Sequence, residues 1–155
     1  MAVALNKFVL ALAAGGVKTI QIDEPLFARH TDEALEFGFG HLETCFAGLP
    51  EDVTNVVHMC CGYPTKLDMT GYNKAPQESY LKLADAIDAC PAIDQVSLED
   101  AHRRNDVTLF SHFKKTKVIL GVIKIAESKV ETVEEIVAHL EEAMEHIDPN
   151  LLIAA

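Results

Sequence analysis

The chain has no tryptophan, only four cysteines, and few basic residues among its 155 positions. The missing tryptophan excludes little. Hydrophobic residues still make up 49% of the chain, ordinary for a soluble α/β protein and enough for one domain with a real core. The cysteines (Cys45, Cys60, Cys61 and Cys90) are too few and too scattered for a disulfide scaffold. The adjacent Cys60-Cys61 pair reads as reduced thiols, and so as a cytoplasmic protein. Lysine and arginine number 13 against 24 aspartates and glutamates, a net charge of −11. That balance argues against nucleic acid and against an anionic membrane surface, since both need clustered cations. The only basic clusters, Arg103-Arg104 and Lys114-Lys115, are explained by a solvated face. No apolar run reaches the ~20 residues of a membrane span. The opening stretch Met1–Gly16 also lacks the basic start of a secretory leader, its single charge, Lys7, lying mid-stretch. It reads as a buried amphipathic helix.

What the sequence does have is alternation. A helix over residues 2–14 ends at Gly15-Gly16, and a strand over 18–23 is stopped by Pro25. Thr31-Asp32 then caps a helix over 32–47 whose middle Gly38 and Gly40 weaken. A strand over 55–60 leads into a loop from Gly62 to Pro76, long enough to suspect a functional lid. Next come a helix over 75–89, a strand over 95–99, a short helix near 106–113 and a strand over 117–123. Thr132 and Glu135 form a capping-box pattern for a helix to about 147, and Leu151–Ala155 is a last strand. Strands alternating with helices predict a parallel α/β sheet. Residues 1–155 are therefore expected to form one partial TIM (β/α)8 barrel domain of about five strands, incomplete at both ends, because a closed barrel needs ~250 residues.

Three strand ends carry chemistry. Val56-Val57-His58-Met59-Cys60 ends in a His-x-Cys pair, and residues two apart on a strand share a face. An imidazole and a thiol side by side suit Zn²⁺, which takes nitrogen and sulfur donors. Gln95–Asp100 ends in carboxylates, as does Thr19–Glu24. Alone, His58 and Cys60 read better as a core histidine and an inert buried thiol, since free cysteine is commonly buried. Asp23 reads as a functional acid or as part of a turn before Pro25. His102, Arg103 and Arg104 read as a solvated helix start. His30, His41, His112, His139 and His146 have no ligand spacing.

Ile20-Gln21-Ile22-Asp23-Glu24-Pro25, His58-Met59-Cys60-Cys61-Gly62-Tyr63-Pro64 and Glu99-Asp100-Ala101-His102-Arg103 resemble the C-terminal catalytic barrel of cobalamin-independent methionine synthase. The likeness is to its short single-barrel relatives, and it spans nearly the whole chain with the motifs in the family's order. It implies a TIM barrel with a catalytic zinc. His58, Cys60 and Glu99 then stand as metal ligands and Asp23 as the acid that binds the amino group of the thiol substrate. The family's fourth ligand is a cysteine in a Pro-Asp-Cys-Gly context after the final strand. This chain ends at Ile153-Ala154-Ala155, where that segment would begin, so zinc is expected to be held weakly or not at all. Cys61 has no counterpart among the family's ligands. Two positions depart from the pattern: Arg29 stands where the folate-using enzyme has an acid, and Ala126 where the family has its catalytic histidine.

The implied reaction is methyl transfer from a methyltetrahydrofolate-type donor to homocysteine thiolate, making methionine. One alternative is another zinc-dependent thiol alkyl transfer, of the epoxyalkane:coenzyme M type. The other is a non-catalytic chain that folds and self-associates. A homo-oligomer through exposed sheet edges is expected, with Ile20, Ile22, Val57, Val96, Ile119 and Val122 facing the barrel interior.

Overall fold

A computed structural model describes residues 1–155. Five strands form one sheet in the order β1-β2-β3-β4-β5: Thr19–Glu24, Thr54–Met59, Gln95–Glu99, Lys117–Gly121 and Leu152–Ala154. Every neighbouring pair is parallel. Strands laid down side by side in chain order, with helical connections between them, are the β/α repeat of a TIM barrel. A doubly wound sheet would reverse its strand order instead. β1 and β5 are the two edges of this sheet.

The helices are α1 (Ala2–Ala14), α2 (Thr31–Glu33), α3 (Phe39–Phe46), α4 (Ser79–Ala89) and α5 (Val133–Met144). The expected helix over 32–47 is present in interrupted form. His30, rather than Thr31 or Asp32, is its N-cap, with no side-chain cap bond, and residues Ala34–Gly38 widen into a π-helical segment that separates α2 from α3. Gly38 closes that segment because a Cβ there would lie 2.7 Å from the Phe27 ring. The helix expected from residue 75 begins at Ser79, and the chain before it is irregular back to Cys60. The short helix after β3 is a 3₁₀ turn, Val107–His112, capped by Asp106. Thr132 and Glu135 make both bonds of the capping box on α5. No helix is long and apolar enough to cross a membrane.

Register decides which residues face where. Ile22 pairs with Val57, Val57 with Val96, and Val96 with Val118. These residues, with Met59, Leu98 and Leu120, form the face that packs on Tyr80, Leu83 and Ile87 of α4 and on Leu109, Phe110 and Phe113. Each such large apolar side chain contributes about 1.5–3 kcal/mol on burial. Tyr80 adds a satisfied polar end, its hydroxyl donating to Met59 O at 2.5 Å. The expectation that Ile20, Ile22, Val57, Val96 and Val122 face the barrel interior is therefore corrected. Ile20, Val57, Val96 and Val122 belong to the buried core, and Ile22 follows Val57 onto the same side. Only Ile119 lies on the other face, in register with Ser97. That second face is largely polar, with Gln21 and Asp23 on β1, His58 on β2, and Gln95, Ser97 and Glu99 on β3. The physical reason is the two-residue period: once His58 points to one face, Val57 must point to the other.

Candidate metal centre

His58 lies on the last turn of the pleat in β2, Cys60 immediately beyond the strand, and Glu99 at the end of β3. Because His58 pairs with Ser97, Glu99 lies one row further along, beside Cys60. The ligand atoms of His58, Cys60 and Glu99 all lie within 4.8 Å of one another. Two parallel strands ending at the same height thus gather a nitrogen, a sulfur and a carboxylate at one point.

Each donor is held by a neighbour. His58 Nδ1 is hydrogen-bonded to Ser97 Oγ at 3.0 Å, which leaves Nε2 facing Glu99 Oε1 at 4.0 Å. A partner on one ring nitrogen orients the other, as around metal-binding histidines. Glu99 is 7% exposed. Its Oε2 accepts the Cys61 N–H at 2.6 Å, while Oε1 is buried with no hydrogen-bond partner. A buried carboxylate oxygen without a donor is costly unless a cation meets it. The Gly62 N–H donates to Cys60 Sγ at 3.3 Å. Burial pushes the Cys60 thiol up, with Glu99 and Asp23 adding to the shift and the Gly62 N–H and Arg29 opposing it. The free Cys60 is thus held as a thiol. The donor types, the open oxygen and the spacing all fit a zinc ion.

Asp23 lies on the same face, in register with His58, and is exposed, its Oδ1 accepting from Gln21 Nε2 at 2.8 Å. Cys61 points the other way and is fully buried, and its thiol is pushed up to about 12 by burial and by Glu99. Burial and Glu99 also raise the Tyr63 hydroxyl, and the Tyr63 ring meets His102 edge-on at 5.8 Å. Ala126 is buried and offers only its backbone carbonyl, which accepts from Asp68 N at 2.9 Å.

The expected solvated helix start at 102–104 is corrected. Residues 101–103 form a turn whose side chains fasten the irregular stretch before α4. Arg103 donates to Ala75 O and, at 2.8 Å, to Pro76 O, and its guanidinium lies 4.8 Å from the Tyr80 ring centre. His102 is half-buried, chiefly burial lowers its imidazole, and its Nε2 has no partner. Lys74 Nζ donates to His102 O, and Gln77 Nε2 to Arg104 O, both at 2.5 Å. Arginine suits such a role because one planar fork serves several carbonyls at once.

Sequence reasoning also missed a buried pair. His139 on α5 bonds through Nε2 to Asp100 Oδ2, and Asp100 Oδ1 accepts from the backbone and side-chain nitrogens of Asn105. The signal was available: Ile136, His139, Leu140 and Ala143 follow the i, i+3, i+4, i+7 pattern of a core-facing stripe, so His139 had to be buried.

Sequential parallel β/α units with metal-competent donors at the strand ends define a TIM-barrel-type protein with a candidate catalytic cluster. The family described as "Cobalamin-independent synthase, Catalytic domain" matches residues 1–154, and the chain belongs to it. A methionine synthase of Pyrococcus horikoshii is 26% identical over 149 residues, covering 96% of this chain and 38% of that protein. A 5-methyltetrahydropteroyltriglutamate-homocysteine methyltransferase of Lactiplantibacillus plantarum is 27% identical over 159 residues, covering 96% of this chain and 18% of its own length. Among solved structures, a B12-independent methionine synthase from Shewanella sp. W3-18-1 in complex with selenomethionine superposes with a TM-score of 0.84 at 28% identity. It covers 99% of this chain and 45% of its own. The chain thus spans less than half the length of each of these relatives.

Proposed function

We propose that this chain carries the thiol-activating site of a zinc-dependent methyl transfer, in which the sulfur of homocysteine attacks the methyl carbon of a methyltetrahydrofolate-type donor to give methionine. The observation that carries the reading is the buried, unpartnered Glu99 Oε1 facing His58 Nε2 beside the Cys60 thiol. The names of the relatives support the reaction class. Zinc held by His58, Cys60 and Glu99, with a position left open, would supply the Lewis acidity that turns a substrate thiol of pKa ~8.5 into thiolate at neutral pH.

The chain's own residues do the rest. Ser97 fixes the ring of His58 so that Nε2 is the free nitrogen. Glu99 neutralises positive charge while its second oxygen stays tied to the Cys61 N–H. Asp23, one strand over on the same face, offers a carboxylate to the amino group of the substrate. Arg103, through Ala75 and Pro76, holds the irregular stretch that follows Cys60. Ala126 brings no side-chain acid, and this favours a second reading: alkyl transfer to a thiol from a donor whose leaving group departs without a proton from the protein.

Titration of metal-free protein with zinc against a chromophoric chelator tests the site. One zinc per chain is expected, weak enough for EDTA to strip. Zinc uptake by wild type that Cys60→Ser leaves unchanged refutes the metal reading. Methionine formation from homocysteine, assayed with 5-methyltetrahydrofolate and then with simpler methyl donors, separates the two readings.

A further inference from the structure

Arg29 stands out in a chain of net charge −11. It is exposed, in the segment between β1 and α2, and no carboxylate lies within ion-pair distance of it. Its one side-chain bond runs from Nη2 to Asn73 O at 3.1 Å, which fixes the guanidinium and leaves Nη1, Nε and the second N–H of Nη2 free, so one edge of the fork stays open. The group rests against Gly62, the residue whose N–H touches Cys60 Sγ. Gly62 has φ +117°, and a Cβ there would lie 2.7 Å from Arg29 Nη2 and 2.7 Å from Asn73 O. The absent side chain is thus the space into which the guanidinium fits. Of the acids acting on the same sulfur, Glu99 is turned to the Cys61 N–H and Asp23 to Gln21, so neither neutralises Arg29.

We propose that Arg29 is a carboxylate-binding group at the mouth of this site, taking the anionic end of the small molecule whose reactive atom is placed beside Cys60. The inference rests on the reading that the site handles an amino-acid thiol and its methyl donor. A fixed guanidinium with one free edge presents two parallel N–H donors, the fork that a carboxylate accepts. Asp23 on the same face carries the opposite charge, so the site offers an acid and a base to a molecule with both. The carboxylate belongs either to the amino acid or to an acidic tail on the donor.

The test is calorimetric binding to wild-type protein, Arg29→Gln and Arg29→Lys. One pair of probes is L-methionine and its methyl ester, and the other is 5-methyltetrahydrofolate and 5-methyltetrahydropterin, which lacks the glutamate. Arg29→Gln is expected to weaken at least one acid probe by about tenfold, the scale of a charge-assisted hydrogen bond, and to leave its neutral counterpart unchanged. Arg29→Lys is expected to keep part of the affinity. Loss confined to methionine assigns the carboxylate to the amino acid, and loss confined to the folate assigns it to the donor. The proposal is overturned if Arg29→Gln binds both acids within twofold of wild type. It is equally overturned if wild type shows no preference for either acid over its neutral form, or binds none of the probes. Run in EDTA, this measurement is independent of metal. Zinc uptake that Cys60→Ser leaves unchanged, with the acid preference intact, would sink the metal reading alone, while Cys60-dependent zinc uptake without the preference would sink the Arg29 assignment alone.

Discussion

Replacing Glu99 with glutamine separates a cation seat from a structural acid. In the metal-free protein Glu99 Oε1 is buried and unpartnered, while Oε2 accepts the Cys61 N–H at 2.6 Å. Glutamine is nearly isosteric. Its carbonyl oxygen can keep the bond to Cys61, and its amide nitrogen then faces His58 Nε2, which lies 4.0 Å from Oε1 and accepts in the tautomer whose Nδ1 donates to Ser97. The substitution therefore removes an orphaned acceptor and a buried charge, and a closure of about 1 Å gives the new amide nitrogen an acceptor in Nε2. An unsatisfied buried polar group costs about 1–3 kcal/mol, so Glu99→Gln should stabilise the metal-free protein by about that amount. At about 2–4 °C per kcal/mol for a chain of this size, the melting temperature should rise by about 2–12 °C. On the proposed metal reading the same change removes an anionic ligand, so zinc affinity should collapse. Urea unfolding in EDTA gives the first number and zinc titration the second. If Glu99→Gln lowers the stability of the metal-free protein, the carboxylate is needed by the fold and the argument from its orphaned oxygen fails.

Cobalt-loaded wild-type protein should show a thiolate-to-metal charge-transfer band that Cys60→Ser abolishes, with the circular dichroism spectrum unchanged; a band surviving in Cys60→Ser would move the sulfur ligand elsewhere. The Cys61 thiol is held up near 12 in the fold by burial and Glu99, against about 9 in the unfolded chain. The unfolded chain therefore loses this proton first, and the group's contribution to stability is complete below about pH 9 and declines as pH rises toward 12. Urea midpoints from pH 8 to 11 should accordingly show the advantage of wild type over Cys61→Ala shrinking with pH, and a constant gap would contradict the assignment. Asp100→Ala leaves His139 and Asn105 without their partner and should cost about 3–5 kcal/mol, as expected for breaking a buried pair. Arg104→Ala breaks only the half-exposed pair with Glu142 and should cost about 0–1 kcal/mol in the same unfolding assay.

Much of this was legible in the sequence because the relevant signals are local. The five strands, the capping box at Thr132 and Glu135, and the His-x-Cys spacing each depend on residues a few positions apart. What was not legible depends on parts distant in the chain. Arg103 reads as surface charge until Ala75 and Pro76 arrive as carbonyl partners from 27 and 28 residues away. The close approach of the Phe27 ring to Gly38, at the end of the π segment Ala34–Gly38, joins residues 11 apart in the chain. The interior face is different, because the information that fixes it is local. By residue type alone the apolar strand residues read as barrel interior, whereas alternation from His58 already sends Val57 the other way.

The same alternation accounts for how fold and site coexist on two short strand ends. His58, Cys60, Ser97 and Glu99 share one face; Val57, Met59, Cys61, Leu98 and Asp100 alternate with them. The second set is buried and carries the packing, including the Asp100–His139 clamp that ties α5 to the residue after Glu99. Side chains on the first face can therefore change without opening the core, while a change at Asp100 acts on the backbone that carries Glu99. If that division is right, Cys60→Ser should lose metal and keep its urea midpoint, whereas Asp100→Asn should lower the midpoint first and weaken zinc only as a consequence. An Asp100→Asn variant with wild-type stability and abolished zinc binding would contradict it.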